Sequence, residues 1–145
     1  MPEHAPIDEP TVWGMVAARA AATPDHVLLV DEQGRTMTCG EYAAAAERAA
    51  AGLFARGVRP GATVAWQMPT WIETFVLLAA LARLGVRQVP MLPIYRDREL
   101  SFCLTQTQAS LVCVPGEWRG VDYGAMAERV AASLPSAGSR VPARC

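Results

Sequence analysis

The alternation of helical and strand patterns after residue 38 is the feature that most limits what this chain can fold into. Helical periodicity and short apolar runs follow one another, with helices starting near 38, 70, 97 and 122 and strands at 62–68, 86–92 and 110–114. Strict alternation of this kind is typical of an α/β layer built around a mostly parallel sheet. The sequence therefore predicts an α/β fold, with a mostly parallel sheet flanked by helices.

Two shorter patterns precede the alternation. Thr11 is placed to cap a first helix, which the pair at 23–24 (Thr-Pro) stops. The apolar run 27–30 and the extended run 35–38 are joined by turn-forming residues at 31–34. These two runs predict an N-terminal β-hairpin.

The length of the chain, 145 residues, suits a single domain. We place that domain at residues 11–134. Residues 1–10 are expected to be a disordered N-terminus, and residues 135–145, which show no periodicity, are expected to be a loose tail.

Local residue pairs predict where several helices start. Thr38 and Glu41 have capping-box spacing, with the hydroxyl at the cap and the carboxylate three residues later. Thr70 and Glu73 repeat this spacing and predict a second capping box. Asp97 is predicted to cap the helix that carries Leu100, Cys103 and Leu104 on one side.

The helix predicted over Thr70–Leu84 is apolar nearly all round, since only Glu73, Thr74 and Arg83 interrupt it. A helix without a polar face belongs inside a larger structure. We therefore expect a partner chain to cover this helix.

Charge and composition exclude several function classes. The net charge is −1, and all 13 basic residues are arginine, so chemistry that needs a lysine is excluded in these 145 residues. The balanced charge argues against a nucleic-acid partner. The longest apolar run, residues 75–82, is too short for a membrane span.

The compartment is inferred from the cysteines and the N-terminus. Residues 1–6 lack the basic segment and the apolar segment that are typical of a signal peptide. Four cysteines without pairing spacing are expected to be free, mostly buried thiols, at Cys39, Cys103, Cys113 and Cys145. A cytoplasmic location follows. His4 and His26 lie far from the cysteines, so no metal site is expected.

Two groups of residues have both a functional and a structural interpretation. Gly116, Gly120 and Gly124 are evenly spaced and would suit a ligand cradle, but a turn before the last helix explains them better. Asp97 and Glu99 would suit paired-carboxylate chemistry, but a capping residue beside a solvated glutamate explains them equally simply.

A third pair lies after a predicted strand. Tyr95 and Arg96 follow Pro93 at the carboxyl end of that strand, where α/β sheets bind ligands. A surface loop is the simpler interpretation. His4 and His26 are the only histidines for a serine-type triad, and no G-x-S-x-G motif is present.

Three segments follow one another in a specific order. Residues 35–42 are RTMTCGEY, residues 57–73 are GVRPGATVAWQMPTWIE, and residues 84–100 contain LGVRQVP, PIYR and EL. Together they resemble the AMP-forming acyl-CoA synthetases, the adenylating superfamily that also contains luciferases and peptide-synthetase adenylation domains. The resemblance covers about residues 11–134. PIYR and the segment 114–120 are most similar to bacterial ligases of fatty or alicyclic acids.

The resemblance implies the N-terminal portion of the adenylating-enzyme large domain. Family members make an acyl-adenylate from a carboxylic acid and ATP, then transfer the acyl group to coenzyme A, with Mg²⁺ bound. Ala62 and Thr70 replace the Asp and Asn usual in the family. The family's phosphate loop and catalytic lysine have no counterpart in these residues. We therefore assign no catalytic, cofactor-binding or metal-binding residue, and expect no cofactor to be bound by this chain.

Three functional interpretations follow. In the first, the chain is a truncated acid–CoA ligase that is inactive by itself. In the second, it is a stand-alone binding module that docks through the helix Thr70–Leu84. In the third, it is one half of a split ligase whose ATP-binding half is a separate chain.

Overall fold

The computed structural model describes residues 8–134, which form two compact units. The first unit comprises the residues up to Gly57 together with Trp71–Leu84, and the second comprises Val58–Thr70 and the residues from Gly85 onward. The predicted loose tail and residues 1–7 of the predicted disordered N-terminus lie outside the described residues. The domain boundaries stay a prediction.

Three helices and a hairpin make up the first unit. The helices are α1 (Val12–Ala22), α2 (Cys39–Ala55) and α3 (Ile72–Arg83), and the strands are β1 (Val27–Val30) and β2 (Thr36–Thr38). The two strands pair antiparallel, which confirms the predicted hairpin. A small core of Tyr42, Ala46 and Ala79 holds α2 against α3, because these side chains are almost fully buried together.

The helix starts in this unit are determined by capping. The Thr11 hydroxyl accepts the Gly14 N–H at 2.9 Å, as predicted. At α2 the Thr38 hydroxyl accepts the Glu41 N–H, and the Glu41 carboxylate accepts the Thr38 N–H at 2.8 Å. This reciprocal pair confirms the first capping box.

The second predicted capping box is wrong. Helix α3 begins at Ile72, its N-cap is Trp71, and no side chain caps it. The Glu73 carboxylate is bound instead by the Arg35 guanidinium, at 2.8 Å. A carboxylate paired with a distant arginine does not reach back to a cap, so Thr70 has no capping partner there.

Parallel strands form the centre of the second unit. The strands β3 (Thr63–Trp66), β4 (Arg87–Pro90) and β5 (Leu111–Cys113) form a three-stranded sheet with the order β4-β3-β5. Both pairings are parallel. The helices of this unit are α4 (Asp97–Thr107) and α5 (Tyr123–Ser133). The predicted fold class is confirmed.

The core of this unit lies between the sheet and its two helices. In the register, Ala65 on β3 is opposite Val89 on β4 and Val112 on β5. Side chains of α4 and α5, including Leu100, join this cluster, and Leu100 is fully buried. These apolar contacts hold α4 and α5 against the sheet.

The start of α4 differs from the prediction. Its N-cap is Arg96, so Asp97 is the first helical residue and does not cap the helix. The Asp97 carboxylate forms an ion pair with Arg129 of α5 at 3.1 Å. Glu99 supplies the cap interaction instead, because its carboxylate accepts the Arg96 N–H at 3.1 Å.

The glycine-spaced segment forms a short hairpin of β6 (Glu117–Trp118) and β7 (Val121–Asp122). Gly116 and Gly120 have positive φ angles of 81° and 74°, a conformation that glycine adopts without strain. Gly124 lies inside α5. The turn interpretation is therefore confirmed for Gly116 and Gly120.

Most apolar side chains of α3 are buried or half-buried, and Phe75 is exposed. None of the helices within residues 8–134 is long and apolar enough to cross a membrane. The partner chain predicted to cover the helix Thr70–Leu84 stays a prediction.

The cysteines differ from one another. Cys39 and Cys103 are free thiols, as predicted for them. Cys113 is disulfide-bonded, so the prediction is wrong there. A disulfide depends on two thiols coming close in space, which spacing along the chain does not reveal. Cys145 lies outside the described residues, and a cytoplasmic location stays a prediction.

Candidate functional site

The carboxyl ends of β3, β4 and β5 bring polar residues together at one edge of the parallel sheet. Gln67 follows β3 directly, and the loop 91–96 follows β4. Ligands of open α/β sheets bind outside the carboxyl ends of the strands, so this edge is the candidate site. We call Gln67, Tyr95, Arg96 and Tyr123 the edge cluster.

Gln67 is fully buried, and its amide holds the loop after β4. The Nε2 group donates to the Leu92 carbonyl at 2.9 Å and to the Tyr95 carbonyl at 3.0 Å. Both contacts are carbonyl oxygens, which fixes the amide orientation, since only the NH₂ group has hydrogens to donate. The Gln67 backbone N–H donates to the Cys113 carbonyl at 2.9 Å, so the backbone of this residue is held by the neighbouring strand.

The side chains of Arg96 and Tyr123 bind the same loop. Arg96 donates to the carbonyls of Pro93 at 2.7 Å and Tyr95 at 2.8 Å. The Tyr123 hydroxyl donates to the Pro93 carbonyl at 2.8 Å. The Tyr95 backbone N–H donates to the Leu92 carbonyl at 3.0 Å. The carbonyls of Leu92, Pro93 and Tyr95 therefore each accept two hydrogen bonds, and the loop is fixed from both sides.

One buried polar atom of the edge cluster has no partner within residues 8–134. The Gln67 Oε1 atom is buried and accepts no hydrogen bond from any described residue. A buried acceptor without a donor costs about 1–3 kcal/mol, and native proteins fill such positions with a water molecule or another group. The edge cluster therefore offers an acceptor for one hydrogen-bond donor.

Aromatic rings and a second cation border the edge cluster. The rings of Trp118 and Tyr123 lie 6.3 Å apart, and the Arg96 guanidinium lies 5.8 Å from the Tyr123 ring. Arg119 lies 4.6 Å over the Trp118 ring. Stacked guanidinium groups are held in place while their charge stays available to an anion.

The nearby carboxylates have structural partners. The pKa of Glu99 is lowered by the hydrogen bonds that its carboxylate accepts from the backbone N–H groups of Arg96 and of Glu99 itself. An acid with a lowered pKa is ionised near neutral pH and serves poorly as a general acid. Asp97 is likewise paired, with Arg129, so both nearby carboxylates have partners within the described part of the chain.

The structure brings together two of the residues singled out from the sequence, Tyr95 and Arg96, and places them at the predicted sheet edge. His26 lies exposed before β1, and His4 lies outside the described residues. Within the described part of the chain no three His, Cys, Asp or Glu side chains are grouped as metal ligands. The absence of catalytic, cofactor-binding and metal-binding residues stays a prediction.

Sequence reasoning missed Gln67 and Tyr123. The available signal for Gln67 was a single amide directly after the apolar strand residues Val64-Ala65-Trp66. Tyr123 gave no signal, because the loop that it binds is 30 residues away in the sequence.

Comparison with known proteins decides the family. The sequence profile of the AMP-binding enzymes matches residues 16–142, which is most of the chain. The chain belongs to the AMP-binding enzyme family.

Three relatives in this family illustrate the match. The chain is 38% identical over 121 residues to a 2-hydroxy-7-methoxy-5-methyl-1-naphthoate–CoA ligase from Streptomyces carzinostaticus, covering 83% of this chain and 22% of the relative. It superposes on a fatty acyl CoA synthetase from Mycobacterium tuberculosis with a TM-score of 0.69 and 30% identity, over 72% of this chain and 21% of that one.

The third relative is a structure of the o-succinylbenzoate CoA synthetase from Bacillus subtilis in complex with ATP and magnesium ion. It has a TM-score of 0.68 and 29% identity, over 74% of this chain and 28% of that one. The chain thus spans between 21% and 28% of the length of these relatives. The predicted family and its N-terminal placement are confirmed.

Proposed function

We propose that this chain forms the N-terminal part of an acid-activating ligase and that these 145 residues do not catalyse the reaction by themselves. The reaction would join a carboxylic acid to coenzyme A through an acyl-adenylate, with ATP and Mg²⁺ bound by residues outside these 145. The observation that carries the proposal is the family match over 16–142 combined with a span of about one fifth of the relatives.

The absence of lysine supports the second half of the proposal. Adenylyl transfer depends on positioned cations around the phosphates and on a loop that presents backbone N–H groups to them. These 145 residues contain no lysine and no glycine-rich phosphate-loop motif. The cation of the edge cluster, Arg96, donates to two backbone carbonyls, so its first role is to hold the loop 91–96.

Within the intact ligase, the edge cluster would position the loop 91–96 for contact with residues outside this chain. The carbonyls of Leu92, Pro93 and Tyr95 each accept two hydrogen bonds from the protein, so the loop needs no ligand to hold its backbone conformation. The free Gln67 Oε1 atom and the stacked arginines are left to bind groups supplied from elsewhere.

A chimera tests this function. Residues 8–134 replace the matching segment of the Streptomyces relative, and acid-dependent ATP–pyrophosphate exchange is measured with the acid named for that relative. We expect the chimera to exchange at least about tenfold faster than the relative from which the segment is deleted. The isolated 145-residue chain, assayed with the same acid, with octanoate and with benzoate, should stay at background.

Each outcome has a defined meaning. Exchange by the isolated chain would contradict the proposed inactivity. A folded chimera without exchange would contradict the proposed role as a ligase segment. Restored exchange on mixing the isolated chain with the segment-deleted relative would support the split-ligase alternative, whereas binding of an unrelated protein without any exchange would favour the stand-alone module.

A further inference from the structure

Strand β1 carries apolar side chains on both of its faces, although the structure covers only one. Its residues are Val27, Leu28, Leu29 and Val30, and Leu29 packs against the core of α2 and α3. Val27, Leu28 and Val30 are 47%, 44% and 66% exposed. A hairpin with one solvated face alternates apolar and polar residues, whereas a continuous apolar run is typical of a strand covered on both faces.

The same hairpin has unpaired backbone edges. Within residues 8–134, β1 pairs only with β2 and β2 only with β1. An exposed, apolar edge strand is a template for another strand, and natural proteins protect such edges with charge, proline or a covering element. No charged residue or proline lies within β1, so its side chains do not protect the edge. The pairing with β2 is irregular between Val27 and Leu29, and the strand is only four residues long.

A groove lies beside the exposed strand. It has a volume of about 410 Å³, and most of its lining is apolar, from α1, β1 and Phe75. Arg19 is the only charged residue in this lining. It is half-buried, and its guanidinium has no hydrogen bond or ion pair within the described part of the chain. A partly desolvated cation of this kind is stabilised by a carboxylate partner.

From these observations we infer that the β1 face and its groove bind a β-strand from the remaining part of the ligase. That strand pairs with the free edge of the hairpin, packs apolar side chains against Leu28 and Val30, and places a carboxylate against Arg19. The inference rests on the proposed function, because the relative holds about four fifths of its length outside the matched segment and can supply this strand.

Two matched substitutions test the inference. Val30→Glu places a carboxylate in the β1 face, and Phe102→Glu makes the same change on α4, outside that face, at nearly equal exposure (66% and 65%). In the isolated chain both should shift the melting temperature by no more than about 2 °C, because both side chains are exposed there. In the chimera, Val30→Glu should lower the melting temperature by about 5 °C or more, and Phe102→Glu should not.

The hydrogen-bonded edge and the charge are tested separately. Amide hydrogen exchange of residues 27–30 should be at least about tenfold slower in the chimera than in the isolated chain, since strand pairing protects these amides. Arg19→Glu should destabilise the chimera more than the isolated chain, and Arg19→Lys should retain most of the stability. Equal exchange in the two proteins would overturn the proposed pairing.

The outcomes separate this inference from the proposed function. An active chimera in which Val30→Glu and Phe102→Glu behave alike would overturn the inference and leave the function standing. An inactive chimera in which only Val30→Glu is destabilising would contradict the proposed function and support the inferred strand pairing. If Val30→Glu converts a dimer of the isolated chain into a monomer by sedimentation, the occupant is a second copy, and the inference is wrong.

Discussion

At the scale of single residues, Gln67 connects the sheet to the loop at its edge. Its amide donates to two carbonyls of the loop 91–96 from a fully buried position. Each net hydrogen bond of this kind contributes about 1 kcal/mol, and a carbonyl that loses a buried partner costs more than the bond contributed. Two of the six hydrogen bonds that hold the loop carbonyls therefore come from a side chain that precedes the loop by some 25 residues.

Replacing the Gln67 amide should lower the stability of the folded chain measurably. We expect Gln67→Leu to lower the free energy of unfolding by about 1–2 kcal/mol, because the carbonyls of Leu92 and Tyr95 each lose one buried donor. Urea unfolding gives this difference, and hydrogen exchange of residues 92–96 should speed up with it. The control is Gln106→Leu on the exposed surface of α4. If both variants lose the same stability, the amide does not hold the loop.

A second residue-scale prediction concerns pH. The hydrogen bond from Arg35 holds the pKa of Glu73 below its usual value of 4.5. A carboxylate whose folded pKa is lowered adds stability that is complete above its unfolded pKa and is lost as pH falls through the folded pKa. The stability difference between wild type and Glu73→Gln should therefore be full at pH 6 and shrink below about pH 4.5.

Urea midpoints of both proteins, measured at pH 6 and pH 3.5, show whether the stability difference shrinks at the lower pH. Glu47→Gln is the control, since Glu47 is exposed on α2 and makes no salt bridge in the described part of the chain. It should show no such pH-dependent difference. A Glu73→Gln difference that grows as the pH falls would contradict the ion pair with Arg35.

At the scale of elements, local patterns succeeded where the interaction itself is local. The capping box of Thr38 and Glu41 and the cap at Thr11 each join residues three apart. The box at Thr70 failed although its spacing is identical, because Arg35 binds Glu73 from 38 positions away.

The candidate site was only half predictable for the same reason. The position of Tyr95 and Arg96 follows from the strand that precedes them, so the sheet edge could be located from the sequence. Their contacts with Gln67 and Tyr123 depend on how separate segments of the chain pack, which no pattern within one segment records.

The two threonines give a direct test of this difference. Thr38→Ala should lower the free energy of unfolding by about 1 kcal/mol, because it removes an N-cap whose hydroxyl accepts the Glu41 N–H. Thr70→Ala should change it by less than about 0.5 kcal/mol, because Thr70 is exposed and caps no helix. Urea unfolding of both variants is the measurement. An equal loss in both would restore the capping box that the structure rejects.

At the scale of the whole molecule, the exposed apolar side chains agree with a chain that spans a fifth of its relatives. Each unit exposes several of them, including Val27 and Val30 in the first and Leu92 and Ile94 in the second. Scattered exposed apolar residues are ordinary on soluble proteins, but continuous patches mark interaction surfaces. Three exposed apolar residues lie on the four-residue strand β1, and one of them, Leu28, lines the groove.

The isolated chain should therefore bind a hydrophobic dye that the chimera binds weakly. We expect the fluorescence of 1-anilinonaphthalene-8-sulfonate, per mole of protein, to be several-fold higher with the isolated chain, because the dye binds exposed apolar surface that the rest of the ligase covers. A cooperative urea transition in the isolated chain must accompany the signal, since a loosely packed state also binds the dye. Val27→Thr combined with Val30→Thr should lower the fluorescence of the isolated chain and change that of the chimera little. Dye binding that is equal in the isolated chain and the chimera would show that the apolar surface of this segment stays exposed in the larger protein.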